Sequence, residues 1–181
     1  SFDSGDWFNR IDWTGQDNFF GTGLPPASVN EPSWPLMRPR LADSRLDPSP
    51  ADIAWSRGAF NDLLRIRSSS TLFRLHGAAA VAERLSFLNT GPRQVPEVIA
   101  GHLLGRGYPG ANFSEILYLL NVGTGPRTLH FDGERGKRYV LHPVHRASGA
   151  TDRRAAEQVS YDAASGRFTV PARTAVVFVV E

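Results

Sequence analysis

From about residue 79 to its end, the chain breaks into short runs of β-branched and aromatic residues set between turn formers. The runs are Val81 to Asn89, Val95 to Leu104, Glu115 to Val122, Arg127 to Phe131, Arg138 to His142, Gln158 to Tyr161, Arg167 to Val170 and Thr174 to Val180. Asn89-Thr90-Gly91-Pro92, Gly123-Thr124-Gly125-Pro126, Asp132-Gly133 and Ser165-Gly166 divide them. Short strands separated by such turns predict an antiparallel β-domain, most simply a two-sheet sandwich. The last run is apolar from Ala175 to Val180 and reads as a central strand.

Before this region lies one helix. Ser49 can cap it, Pro50 suits its first position, and Asp52 falls in the first turn, where the helix dipole favours a carboxylate. Ile53, Phe60, Leu63, Leu64 and Ile66 recur at helical spacing, with Arg57, Asn61, Asp62, Arg65 and Arg67 largely off that face. The pattern predicts a helix over 50–68, ended by Ser68-Ser69-Ser70 and in need of an apolar partner surface. Residues 1–49 are rich in Gly, Pro, Asn, Asp and Trp and hold neither a strand nor a helix period, which predicts an ordered but irregular loop. A loop of that length usually carries function on a scaffold. The fold class is therefore mainly β: a C-terminal sandwich preceded by a long loop and one helix, with the division at 1–78 and 79–181.

Composition removes several function classes. No apolar run reaches about 18 residues, so no membrane-spanning segment is predicted. There is no cysteine, which excludes disulfides and thiolate metal sites. The formal net charge is +2, carried by arginines spread along the chain, with Lys137 the sole lysine. A nucleic-acid surface would need those charges clustered on one face. No phosphate-binding glycine loop and no nucleophile-elbow serine is present.

The opening residues, Ser-Phe-Asp-Ser-Gly-Asp-Trp-Phe-Asn-Arg followed by Ile11-Asp12-Trp13, set aromatics beside carboxylates, an amide and a guanidinium. This is chemistry that holds sugars: a ring face stacks on the pyranose while charged groups take its hydroxyls. The chain starts without Met or a signal peptide, inside what reads as a functional loop, and is expected to be a piece of a larger protein. Asp3, Asp6, Asp12 and Asp17 could supply the carboxyl pair of a glycosidase, yet nothing sets one apart as a buried acid and another as a nucleophile. Autonomous catalysis is not expected.

Ser4-Gly5-Asp6-Trp7-Phe8-Asn9-Arg10, Trp13, Gly15-Gln16-Asp17-Asn18, Gly23-Leu24-Pro25-Pro26, Trp34-Pro35, Pro50-Ala51-Asp52-Ile53, Leu63-Leu64-Arg65-Ile66-Arg67 and Phe87-Leu88-Asn89-Thr90-Gly91-Pro92, in that order, resemble the C-terminal end of bacterial pullulanases. These are α-amylase-superfamily enzymes of glycoside hydrolase family 13 that cleave α-1,6 linkages in pullulan, amylopectin and limit dextrins. The resemblance implies that residues 1–48 form the loop after the last strand of a (β/α)₈ barrel, and that the 50–68 helix is the last barrel helix. It places the catalytic carboxylates on earlier strands that this chain lacks. It also implies that Asp6 and Arg10 bind a glucose unit of an α-glucan, with Trp7 and Asn9 in support, and that the remaining partner is the missing catalytic barrel. An extracellular or cell-surface address goes with the family.

Other readings are structural. Trp13, Trp34 and Trp55 are expected to fill interfaces, and the apolar faces left by a missing barrel to drive self-association. His142 and His145, three apart on a predicted strand, should point to opposite faces and share no metal. They and His76, His102 and His130 read as ordinary surface or packing residues, and Gly101 to Gly110 as a flexible hairpin loop. No cofactor is expected. The oxygen-rich first segment could contact a calcium ion in the intact enzyme, but it lacks the spaced ligand loop of a built calcium site.

Overall fold

The computed structural model describes residues 11–181. The chain divides into two compact units between Gly58 and Ala59.

In the second unit the predicted sandwich is present. Strands β1 (Leu85–Phe87), β2 (Val98–Leu104), β3 (Glu115–Asn121), β4 (Arg127–His130), β5 (Val140–Leu141), β6 (Ser160–Asp162), β7 (Arg167–Val170) and β8 (Thr174–Val180) form two antiparallel sheets. One runs β1-β2-β3-β8-β5 and the other β4-β7-β6. The apolar β8 is interior to its sheet, between β3 and β5. Alternation of side chains across the pleat sorts the larger sheet's residues between two cores. Val98, Ala100, Leu117, Leu119, Val176 and Phe178 meet Leu129, Phe168 and Val170 of the smaller sheet. Leu103, Ile116, Val177 and Val179 pack with Ile66, Leu72 and Ala111.

Gly101 lies inside β2 opposite Tyr118, not in the hairpin loop. A Cβ there would run into the Tyr118 ring, so the missing side chain is what lets the ring lie across the strand. Gly105 ends the strand, donating to the Ser114 carbonyl at 2.8 Å. A Cβ on it would collide with the Phe113 carbonyl oxygen, a backbone atom that cannot step aside. Gly105→Ala should therefore cost about 2–3 kcal/mol in denaturant unfolding. Gly149→Ala, where a Cβ meets nothing, should stay within about 0.5 kcal/mol of the parent.

Helix α3 (Pro50–Ser68) has the predicted bounds; it is preceded by α1 (Ala27–Asn30) and α2 (Trp34–Leu41). Its start is a reciprocal cap: Ser49 Oγ accepts from the Asp52 backbone N–H at 3.2 Å, and the Asp52 carboxylate accepts from the Ser49 backbone N–H at 3.0 Å. Its buried positions are Asp62 and Ile66. Phe60, Leu63 and Leu64 of the predicted apolar stripe are exposed, Phe60 at 61%. Asp62 sits on the covered side because its carboxylate accepts from the Thr151 backbone N–H at 2.8 Å and from Arg65 at 3.0 Å.

Three expectations need correcting. Val81 to Asn89 is not one strand: α4 (Gly77–Arg84) occupies its first half, since Ala78-Ala79-Ala80 are the strongest helix formers. Only Leu85–Phe87 then pairs, against Leu103–Gly101. The Arg138 to His142 strand shrinks to Val140–Leu141, because Tyr139 is drawn into a polar cluster and His142 caps the short helix α5 (Pro143–Arg146). In the first unit the supposed irregular loop contains α1, α2 and 3₁₀ turns at Glu31–Ser33 and Ser44–Leu46. Pro35 opens α2 where its missing N–H costs nothing. These are one- and two-turn pieces, too short for a periodic signal.

Candidate functional site

Asp6, Trp7, Asn9 and Arg10 lie outside the described residues; the segment that follows them is a series of turns. The Asp12 carboxylate accepts from the Thr14 backbone N–H at 2.9 Å, its hydroxyl at 2.7 Å, and the N–H groups of Gln16 and Asp17 at 2.8 and 3.0 Å. The Thr14 hydroxyl and these backbone amides pull the Asp12 carboxyl down to about 2. Four donated hydrogen bonds keep this carboxyl ionised. What the turn presents is Trp13, 88% exposed. Asp17 and Asn18 close the next turns by accepting from the N–H groups of Phe19 and Phe20 at 2.6 and 2.9 Å. Trp34, half-buried, donates its indole N–H to the Pro25 carbonyl at 2.9 Å and lies under the Arg38 guanidinium.

Within the second unit two buried polar clusters stand out. In the first, Lys137 Nζ lies 2.6 Å from Glu115 Oε2 and 2.7 Å from Glu134 Oε2. His102 Nε2 approaches the same Glu115 oxygen at 2.8 Å, and Tyr139 donates its hydroxyl proton to Glu134 at 2.7 Å. Burial would raise the Glu115 carboxyl, but hydrogen bonds from Lys137 and His102 outweigh it and hold it below the usual range. Burial would likewise lower the Lys137 ammonium, and the two carboxylates reverse this. Burial, then the Glu134 carboxylate, raises the Tyr139 phenol far above its ordinary value. Ligand atoms of His102, Glu115 and Glu134 lie within 4.8 Å of one another, spaced for a metal ion. The Lys137 ammonium already bridges the two carboxylates, so the cluster supplies its own cation.

In the second cluster, His142 Nδ1 accepts from the Val144 N–H at 3.2 Å, which leaves Nε2 protonated and donating to Ser69 Oγ at 3.0 Å. The Ser69 hydroxyl in turn donates a hydrogen bond to the Ile66 carbonyl at 2.7 Å. A serine activated by histidine requires a lone pair on the nitrogen facing the hydroxyl, and this tautomer puts a proton there. The pair is a structural tie. Burial, reinforced by His145 and Arg146, pulls His142 from 6.5 down to about 4, and burial also lowers His145. His142 and His145 do not diverge as expected of a strand: on the α5 turn their ring centroids are 6.5 Å apart, both buried. Packing histidines they nonetheless are. The pattern hid both clusters, although the sole lysine was a pointer to the first.

The described residues thus hold no prepared acid–nucleophile pair, and what the chain is must be settled by kinship. A sequence model of α-1,6-glucosidases, pullulanase-type, C-terminal, matches residues 15–181. The chain belongs to this family. Pullulanase 1 of the chloroplast of Arabidopsis thaliana is 42% identical over 99% of the chain, and a pullulanase of Klebsiella pneumoniae 27% identical over 98%. The crystal structure of the maltotriose complex of PulA from Klebsiella pneumoniae superposes with a TM-score of 0.83 at 29% identity over 99% of the chain. Pullulanase kinship therefore reaches a plant as well as bacteria. The chain spans less than a fifth of these relatives, 19% of the Arabidopsis protein and 16% of the Klebsiella one. It is the C-terminal domain of a starch-debranching glycoside hydrolase family, with a mainly β, antiparallel fold. Among the described residues no helix is long and apolar enough to cross a membrane.

Proposed function

We propose that this pullulanase-type domain completes an enzyme that hydrolyses α-1,6-glucosidic linkages in pullulan, amylopectin and limit dextrins, and that it is inactive alone. The observation that carries the reading is the family match over 15–181 in a chain spanning under a fifth of its relatives. In the whole enzyme residues 1–78 are the last loop and helix of the barrel and 79–181 the sandwich that buttresses it. Asp6 and Arg10, helped by Trp7 and Asn9, hold the glucan in register through charge-assisted hydrogen bonds to adjacent hydroxyls. Hydrolysis then proceeds by double displacement on carboxylates of the barrel. That a Klebsiella relative is described as a maltotriose complex supports an α-glucan ligand.

The exposed row Phe60, Leu63 and Leu64 supports a covering partner for α3, and in the isolated chain the same row favours self-association. An independent glucan-binding module would instead want an aromatic platform on a sandwich face. Tyr139, Tyr161, Phe168 and Phe178 pack against one another in the core, so these rings form no such platform.

In the intact enzyme Asp6→Ala and Arg10→Ala should each lower kcat/KM on pullulan about ten- to a hundredfold, the loss of one charge-assisted contact, without moving Tm. Unchanged kcat/KM would overturn the role of these residues. Release of reducing sugar from pullulan by the folded chain alone would overturn the inactive-alone reading.

A further inference from the structure

We infer that the groove between the Asn89–Arg93 turn and the end of β4 binds a neutral sugar chain. The groove encloses about 420 Å³, within the about 300–1,000 Å³ of small-ligand sites. Its floor is Leu88 and Phe131, the latter with its ring centroid 6.0 Å from that of Phe168. Thr90 and Arg93 stand on one rim, His130 and Asp132 on the other.

Both walls are pinned from behind. The Asn89 amide donates to the Val95 carbonyl at 2.8 Å and to that of Val98, while its oxygen accepts from the Val95 N–H at 2.9 Å. Across the groove the Phe131 N–H donates to the Gly166 carbonyl at 3.0 Å. A ligand would find the rim groups already spaced, which limits the ordering cost of binding.

The chemistry of the rim selects the ligand. Arg93 and Asp132 are the one guanidinium and the one carboxylate among the lining residues, so the lining itself carries no net charge. Among the described residues no carboxylate pairs with Arg93. Asp132 is engaged by His130 at 3.4 Å and Arg135 at 3.3 Å, long and exposed contacts that a sugar hydroxyl can replace at small cost. Donors and acceptors on both sides of an apolar, partly aromatic floor suit the hydroxyl edge and C–H face of a pyranose. The choice of an α-linked glucan as that sugar rests on the proposed function.

The test is titration of the full chain with maltoheptaose, following backbone amide resonances. Saturable shifts should cluster at residues 89–93 and 128–132 with a millimolar Kd. They should persist in Arg10→Ala, which separates the groove from the proposed opening-loop site, and weaken about tenfold in Arg93→Ala. Absence of shifts there at about 50 mM sugar in a folded chain, shifts indifferent to Arg93→Ala, or the same shifts from inorganic phosphate would each overturn the inference.

Discussion

Lys137→Met should destabilise the second unit by about 3 kcal/mol or more, seen as a lower urea midpoint with an unchanged slope. The ammonium is shared by Glu115 and Glu134 at 2.6 and 2.7 Å, and Glu134 is 4% exposed. Removing the cation leaves two carboxylates facing one another with little water to screen them, and an uncompensated buried charge costs far more than the pair contributes. Lys137→Met combined with Glu134→Gln removes the more deeply buried of the two charges and keeps an acceptor for the Tyr139 hydroxyl, so it should recover a large part of the loss. A single variant within about 0.5 kcal/mol of the parent would show that the network carries no strong coupling.

Acid should unfold the chain through His142. Its folded value, about 4 against 6.5, means that above pH 6.5 the imidazole is neutral in both states and stability does not depend on it. As pH falls from 6.5 towards 4 the unfolded chain takes up a proton that the folded chain refuses, and stability drops by about 3 kcal/mol in all. Below about pH 4 the folded form protonates too and this contribution levels off. His145, lowered in the same direction, adds to the slope. Urea midpoints between pH 7 and 4.5 should fall more steeply for the parent than for His142→Asn, whose amide oxygen can still accept from the Val144 N–H. Parallel curves would assign the acid sensitivity elsewhere.

Where local signals and tertiary demands coincide, the structure was legible in advance. Helix α3 announces itself through Ser49, Pro50 and Asp52, and β7, alternating after the Ser165-Gly166 turn, and the apolar β8 fall on their predicted residues. The face of α3 was not legible, since spacing marks an apolar stripe but cannot say that Asp62 will meet the Thr151 N–H and turn that stripe outward. The first half of Val81 to Asn89 misled because Val81, read as a strand residue, belongs to an Ala-rich helical turn. The polar cluster was invisible for another reason. Its members come from residues 102, 115, 134, 137 and 139, and only the pairing of β2 with β3 and the return of the chain past β4 bring them together. The Asp6 and Arg10 site was reached through an ordered set of motifs, and its geometry lies outside the described residues.

A chain with one lysine has one side-chain amine to offer acylating reagents. Here that amine is a charged donor to two carboxylates, its ammonium held above the ordinary lysine value by the hydrogen bonds it donates to Glu115 and Glu134, which outweigh burial, and so a poor nucleophile for as long as the cluster is closed. Labelling of Lys137 would then proceed at the rate of transient opening rather than of collision with reagent. The protein carries a chemical clock for the breathing of its own sandwich, readable by mass spectrometry at a single residue.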